Sequence, residues 1–181
     1  AKAQLFEFSK NLTRLEGQEF HDWIASVCDV RLLLRTYAVN VAVGMWDDLW
    51  NNGNNYYLYF NTSHESDYKV FFIPYDYDNT LGTCNCYDQA TQDPYNWGDQ
   101  GVLMEKMMEY PEFKNIYRDE LKRLVDPANC LMDAESSIAR ILAWQSKIQN
   151  YLKNDTGEDM KIEDEPAGWG NWGNYNLMDW N

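Results

Sequence analysis

The chain has 181 residues, a formal net charge of −14, and a hydrophobic fraction of 45%. This length suits one domain with a sizeable buried core. The acidic balance argues against nucleic acid or an anionic membrane as a direct partner, because phosphate binding requires basic patches, but it permits basic proteins and divalent cations. No apolar run approaches the 18 residues of a membrane-spanning helix.

The N-terminal quarter of the sequence predicts helices. Residues 1–28 have a helical pattern, and within them residues 15–27 place several apolar side chains on one face. Residues 29–45 form the most apolar segment, which is interrupted mainly by two arginines and Asn40, so this helix is expected to be buried on most of its surface. It ends at Gly44 and is followed by MWDD.

A polar loop, WNNGNN, precedes two predicted strands, YYLYF at 56–60 and YKVFFI at 68–73. The short polar connection between them predicts a β-hairpin. The apolar run then ends at Pro74 and continues as YDYD. Because residues i and i+2 of an extended chain face the same side, Asp76 and Asp78 are expected to point together if the extended geometry continues past Pro74.

The C-terminal half predicts helices only, at 101–110, from Pro111 to about Val125, and at 132–152. The tail at 156–181 is rich in Gly and Trp without a clear period, and it either packs on the domain or is partly disordered. The predicted fold class is therefore α+β, predominantly helical with a small β-hairpin, and residues 1–181 are expected to form a single domain.

Four cysteines leave two alternatives open. An even number is compatible with two disulfides in a secreted protein, although the pairing of Cys28, Cys84, Cys86 and Cys130 cannot be deduced from the sequence. A zinc site at Cys84 and Cys86 is the second alternative, although their CxC spacing differs from the CxxC of zinc knuckles.

The two carboxylates after the second strand indicate a cation site. Adjacent like charges raise the pKa of one group unless a cation lies between them, and Mg²⁺ and Ca²⁺ prefer oxygen ligands. A solvated turn at Asp78-Asn79 is the structural alternative. A calcium loop is a further one, although the ligand spacing of an EF-hand is missing.

The stretch IPYDYDNTL also resembles the DxDxT signature of haloacid-dehalogenase-type phosphatases, in which Asp76 would be the nucleophile and Asp78 an acid or base. That family requires later strands that carry further catalytic groups. Only helices are predicted after Gly82, and the other acidic pair, Asp47-Asp48, precedes the motif. The order of the parts therefore argues against this alternative.

The order agrees better with protein kinases. In those enzymes a helix leads to a loop Asp that orients the substrate hydroxyl, then to a metal-binding Asn before a short strand pair, and then to an Asp that holds Mg²⁺. Here the helix at 29–45 is followed by Asp47-Asp48, by Asn54-Asn55, by the two strands and by Asp76. The kinase motifs HRD and DFG themselves do not occur.

The segments VAVGMWDDLWNNGNNYYLYF and YKVFFIPYDYDNTLG resemble the CotH kinase family, the spore-coat-protein-H-like atypical protein kinases. Members have a helix that ends in Gly and a WD-type turn, an Asn-Tyr-Tyr-Leu-Tyr strand, and an Ile-Pro-Trp-Asp-x-Asp turn. Tyr75 stands where Trp is common in the family. The resemblance extends over about residues 15–155, and the block at 44–82 is its specific part.

The resemblance implies a protein-kinase-like C-terminal lobe and the transfer of the γ-phosphate of ATP to protein Ser/Thr hydroxyls with Mg²⁺ or Mn²⁺. Asp47 would orient the hydroxyl, with its neighbour Asp48 as the alternative. Asn55 and Asp76 would bind the metal and, through it, the ATP phosphates. Asp78 would be a second candidate metal ligand.

A kinase also needs an N-terminal lobe with a Gly-rich loop and a strand Lys, and no candidate for either precedes residue 29. The chain is therefore expected to be a C-terminal lobe, either as a mature protein or as a piece of a longer one. Without the missing N-terminal lobe it is expected to be inactive. A basic protein substrate would suit its acidic charge. The family and the cysteines together imply an extracellular, cell-surface or spore-coat location.

The tail WGNWGNYNLMDW supports a function of a different class, an aromatic-rich extracellular module that binds glycans on a bacterial surface or in a carbohydrate-degrading assembly. Loss of glycan binding on mutation of Trp169 and Trp172 would support this alternative.

Overall fold

The computed structural model describes residues 2–63, 68–77, 80–81, 93–98 and 101–151. The helices are α1 (Lys2–Arg14), α2 (Gly17–Val27), α3 (Val30–Ala42), α4 (Val102–Met108), α5 (Pro111–Val125) and α6 (Ala134–Ile148), with short 3-10 helices at Pro127–Asn129 and Gln149–Tyr151. The strands are β1 (Tyr56–Asn61) and β2 (Lys69–Pro74), which pair antiparallel. The predicted α+β class is confirmed.

The ends of the predicted helices shift by a few residues because local groups decide them. The helical pattern at 1–28 forms two helices, since the chain turns at residues 15–16 between α1 and α2. Asp29 starts α3 by accepting a hydrogen bond from the backbone N–H of Leu32 at 2.9 Å, which satisfies a donor that the first turn leaves free. Gly44, with φ of 66°, lies two residues past the end of α3.

The chain divides into two units, Ala1–Gly82 with Cys86–Lys122, and Thr83–Asn85 with Arg123–Asn181. In the first unit, one face of the hairpin packs on helices. Leu58 pairs with Phe72 and Phe60 pairs with Val70, so these side chains share a face. The ring of Phe8 on α1 lies 6.1 Å from that of Phe60 and 6.3 Å from that of Phe72, and α2 and α3 both contact β2.

Polar contacts tie the helices of the first unit together. Nζ of Lys106 on α4 donates to the carbonyls of Leu12 and Leu15 at 2.8 and 3.0 Å, where the end of α1 leaves acceptors free. His21 on α2 stacks on Phe113 of α5 with 4.7 Å between ring centroids, and its Nε2 lies 3.2 Å from Glu112. These contacts on α5 supply some of the partners that the ring face and nitrogens of His21 need.

Glu120 of α5 is a buried carboxylate held by two arginines of α3. Glu120 as a whole is only 2% exposed. Nη1 of Arg31 donates to it at 2.7 Å and Nε of Arg35 at 3.0 Å. The hydrogen bond from Arg35, assisted by that from Arg31, lowers the pKa of Glu120 against the opposing effect of burial.

Glu120→Gln is expected to lower the free energy of unfolding by about 2 kcal/mol. This is less than the roughly 3–5 kcal/mol for breaking a fully buried ion pair, because both arginines are about half exposed. The neighbouring Asp119→Asn is the control and should cost under about 0.5 kcal/mol, since Asp119 is an exposed partner of Arg118.

Urea unfolding at pH 7 and at low pH measures both variants. The lowered pKa means that the contribution of Glu120 is present above the pKa of the unfolded state and is lost as the pH falls through the folded-state pKa. The difference between Glu120→Gln and the unaltered chain should therefore shrink in acid. Equal urea midpoints for the two variants at pH 7 would contradict the prediction.

The described part of the second unit consists of the end of α5, α6 and the two short 3-10 helices. Asp133 begins α6 by accepting from the N–H of Ser136 at 2.8 Å, and Arg140 donates to the carbonyls of Cys130 and Leu131. Across the described ranges of both units, no helix is long and apolar enough to cross a membrane.

Cys28 and Cys130 are free thiols in the structure, the first buried and the second exposed. Burial raises the pKa of the Cys28 thiol to about 12. The two-disulfide arrangement is therefore not formed here. Cys84 and Cys86 lie outside the described residues, so their pairing or zinc binding stays a prediction.

Candidate functional site

The predicted site residues lie on the loop between α3 and β1 and on the segment after β2. The loop curls around the carbonyl of Asp48, which accepts from the backbone N–H groups of Asn52 and Asn54 at 3.0 and 3.1 Å. Gly53, with φ of 68°, supplies the left-handed turn between them. The run of Asn and Gly therefore closes a tight loop rather than an open connection.

Asp48 points inward and is 1% exposed. Its Oδ1 accepts from the N–H of Asn51 at 2.8 Å, and its Oδ2 accepts from Nδ2 of Asn40 on α3 at 3.0 Å. Burial raises the pKa of Asp48, and the hydrogen bonds from Asn51 and Asn40 oppose that rise. This carboxylate therefore organises the loop from within and does not face solvent.

Asp47 lies on the accessible side of the same loop and is partly exposed. Its Oδ1 accepts from Nδ2 of Asn52 at 2.6 Å, and its Oδ2 accepts from Nδ2 of Asn55 at 2.8 Å, with the amide of Asn54 at 3.3 Å from both oxygens. The structure thus brings Asp47 and Asn55 into direct contact. Three amides hold the carboxylate in one orientation and leave it as an acceptor on the surface.

Asn55 and Asp76 stand at the two strand ends that form the base of the hairpin. Both have left-handed backbones, with φ of 51° and 63°, a conformation that Asn and Asp adopt more readily than most residues. The N–H of Tyr75, next to Asp76, donates to the carbonyl of Asn55 at 3.2 Å. The exposed Asp76 and the 8%-exposed Asn55 therefore flank the same end of the sheet.

The expected alignment of Asp76 with Asp78 needs a correction. It required extended geometry past Pro74, but β2 ends at Pro74 and the left-handed turn at Asp76 breaks the two-residue alternation. Asp78 itself lies outside the described residues, so its role as a second ligand stays a prediction.

Sequence reasoning missed Asn40 and Tyr77 as parts of this site. The Tyr77 hydroxyl donates to Oδ1 of Asn40 at 2.5 Å, and Asn40 in turn donates to Asp48. The available signal was a single asparagine in the most apolar helix of the chain. A buried amide needs partners, so such a residue indicates a polar network nearby.

Aromatic residues and a glycine pack around the loop backbone between α3 and β1. Trp50, which is 2% exposed, packs edge-on against the rings of Tyr37 and Tyr117, at 5.6 and 6.0 Å between centroids. The indole N–H of Trp97 donates to the carbonyl of Met45 at 3.4 Å. Next to it, Gly98 lies directly against the loop backbone at Asn51.

The donor chemistry of the site fits a hard divalent cation. Asp47, Asn55 and Asp76 offer carboxylate and amide oxygens, which Mg²⁺ and Mn²⁺ prefer, and Mg²⁺ commonly keeps several waters besides one or two carboxylates. Within the described ranges no group of three or more His, Cys, Asp or Glu side chains could hold a metal. A cation here would therefore rely on a mixed set that includes the amide of Asn55.

Comparison with known proteins gives one result that covers nearly the whole chain. The sequence profile of the family described as CotH kinase protein matches residues 1–177. Neither the curated proteins nor the solved structures include one that matches. The family implies ATP and a divalent metal in general terms and a protein as substrate. The chain belongs to the CotH kinase family.

Proposed function

We propose that the chain is the C-terminal, kinase-like lobe of a CotH-type atypical kinase that catalyses Mg²⁺- or Mn²⁺-dependent transfer of the ATP γ-phosphate to protein Ser/Thr hydroxyls. The observation that carries the proposal is the 2.8 Å hydrogen bond between Asn55 and Asp47 at the hairpin base, where the other strand leads to exposed Asp76. This order along the chain matches that of a kinase catalytic loop and its metal-binding strand pair, which supports the proposal.

The geometry supports different proposed roles for the two adjacent aspartates. Asp47 is held by three amides with its carboxylate on the accessible side, so it is the group that would accept a hydrogen bond from the substrate hydroxyl and orient it. Asp48 is buried and fully engaged by the loop and α3, so it would act by holding Asp47 in place.

Asn55 and Asp76 would hold the cation. A divalent cation bound there supplies positive charge that neutralises the phosphate oxygens. The left-handed backbones of Asn55 and Asp76 turn the chain at the base of the hairpin, and the hydrogen bond from Tyr75 to Asn55 keeps the two strand ends together.

Residues that precede α3 are folded as helices α1 and α2, so they do not supply the Gly-rich loop and strand Lys that cover ATP in kinases. We infer that an N-terminal lobe completes the site and that a basic protein suits the charge of −14 as a substrate. An extracellular or spore-coat location is part of the same proposal, by analogy with the family.

The proposal is tested in two steps. The isolated chain is expected to bind Mn²⁺, and electron paramagnetic resonance measures this binding. The same chain is expected to show no turnover with radiolabelled ATP and a lysine-rich protein. A form that also carries the proposed N-terminal lobe is expected to transfer phosphate. Turnover by the isolated chain would overturn the assignment as a single lobe, and absence of Mn²⁺ binding would overturn the cation site.

The two alternative functions gain no support from the described residues. After β2 the described ranges contain helices and no further strand, whereas a haloacid-dehalogenase-type phosphatase requires later catalytic strands. Trp169 and Trp172 lie outside the described residues, so the glycan-binding module stays a prediction.

A further inference from the structure

A buried series of hydrogen bonds connects the loop before β1 to the segment after β2. The Tyr77 hydroxyl donates to Asn40, and Asn40 donates to Asp48, over 2.5 and 3.0 Å. Asn40 is only 4% exposed.

The series has one direction while Asp48 is ionised. A carboxylate only accepts hydrogen bonds, so Asn40 must turn its NH₂ group toward Asp48 and its carbonyl oxygen toward Tyr77. That carbonyl requires a donor, which the Tyr77 hydroxyl supplies. The buried carboxylate therefore sets, through the amide between them, that the Tyr77 hydroxyl is the donor in its hydrogen bond to Asn40.

Asp76 lies between two residues that are held by hydrogen bonds, one to the residue before β1 and the other to α3. On one side, the N–H of Tyr75 bonds the carbonyl of Asn55, and on the other, the Tyr77 side chain bonds Asn40. A left-handed backbone at a residue other than glycine is unfavourable and persists where its surroundings hold it. The two anchors are such surroundings for the φ of 63° at Asp76.

We propose that Asn40 and Tyr77 are positioning residues of the cation site. They hold Asp76 in its left-handed conformation and so fix the direction of its carboxylate relative to the loop that carries Asp47 and Asn55. The inference rests on the proposed function, because it takes Asp76 as a cation ligand. Neither Asn40 nor Tyr77 is assigned a contact with the cation or the phosphate.

Tyr77→Phe tests the proposal because it removes only the hydroxyl. Tyr59→Phe is the matched control, since Tyr59 is exposed on β1 and lies 6.2 Å from Phe71 between ring centroids. Outer-shell partners of metal sites typically contribute roughly 10–100-fold in affinity. We expect about a 10-fold loss of Mn²⁺ affinity in Tyr77→Phe, no change in Tyr59→Phe, and similar thermal stability in both. Asn40→Leu should reproduce the loss, and if it does not fold, Tyr77→Phe alone decides.

The backbone amide resonance of Asp76 in NMR spectra distinguishes this inference from the proposed function. If the unaltered chain binds Mn²⁺ and Tyr77→Phe binds it equally well, the positioning role is overturned. If the unaltered chain binds no Mn²⁺, the proposed function fails. The positioning role then stands if Tyr77→Phe shifts the Asp76 resonance and Tyr59→Phe does not, and it falls with any other result.

Discussion

Substituting Asp76 with asparagine is expected to weaken Mn²⁺ binding by this chain at least about 100-fold, the upper end of what outer-shell partners of metal sites contribute. The effect should exceed that of Tyr77→Phe because a ligand contributes more than a residue that acts through its neighbour. Asparagine tolerates the φ of 63° at this position, and the side chain is exposed, so the fold should be retained. The substitution therefore removes one negative charge and little else.

Asp119→Asn is the control, because it removes the same charge from an exposed position on α5. If Mn²⁺ were attracted only by the net charge of −14, the two variants would lose affinity equally. Mn²⁺ titrations at about 0.15 M salt suppress that general attraction, because the Debye length is then only about 8 Å. Equal affinities in the two variants would contradict the assignment of Asp76 as a ligand.

The adjacent aspartates show where sequence reasoning stopped. Asp47 and Asp48 look equivalent in the sequence, and the choice between them stayed open. In the structure Asp48 is buried because Asn40, eight residues earlier on α3, supplies a partner inside the unit, and Asp47 is held by asparagines of its own loop. Which carboxylate points inward depends on this tertiary contact, which no local pattern encodes.

Local patterns predicted the elements well because period and capping are local properties. The helices and both strands lie where the apolar spacing placed them, and Asp29 shows that the exact start of α3 follows from a single cap. The condition for aligning Asp76 with Asp78, extended geometry past Pro74, is not met, and contacts distant in sequence, from Tyr75 to Asn55 and from Tyr77 to Asn40, accompany the turn at Asp76. The family was predicted from the order of several motifs, because no single motif would have been enough to identify it.

Gly98→Ala is expected to cost about 3 kcal/mol of unfolding free energy, the upper end of the range for overpacking. A methyl group at Gly98 would lie 2.2 Å from Cα of Asn51 and 2.6 Å from the carbonyl oxygen of Trp50. Both are backbone atoms of the loop that carries Asp47 and Asp48, so relief requires the loop itself to move. The sequence offered no sign of this contact, since Gly98 is one of several glycines in polar segments.

Two other glycines separate this clash from ordinary glycine effects. At Gly101 a methyl group would approach Trp50 at 3.0 Å, a closeness that a small shift relieves, and at Gly17 it would meet open space. Gly17→Ala should cost only about 1 kcal/mol, for the left-handed φ of 52°, and Gly101→Ala should cost a similar amount. Urea unfolding of the three variants should therefore rank Gly98→Ala well below the other two in stability.

Gly98→Ala should also lower Mn²⁺ affinity in the fraction that stays folded, because the displaced backbone belongs to the loop that carries Asp47. Gly17→Ala should leave the affinity unchanged, since Gly17 begins α2 and is not part of the loop or the hairpin base. A wild-type urea midpoint together with wild-type Mn²⁺ affinity in Gly98→Ala would contradict the packing of residues 93–98 against this loop. Lowered stability with unchanged Mn²⁺ affinity would instead show that the loop relaxes without moving Asp47. Measuring stability and Mn²⁺ affinity together therefore tests whether the packing of residues 93–98 against the loop sets the position of Asp47.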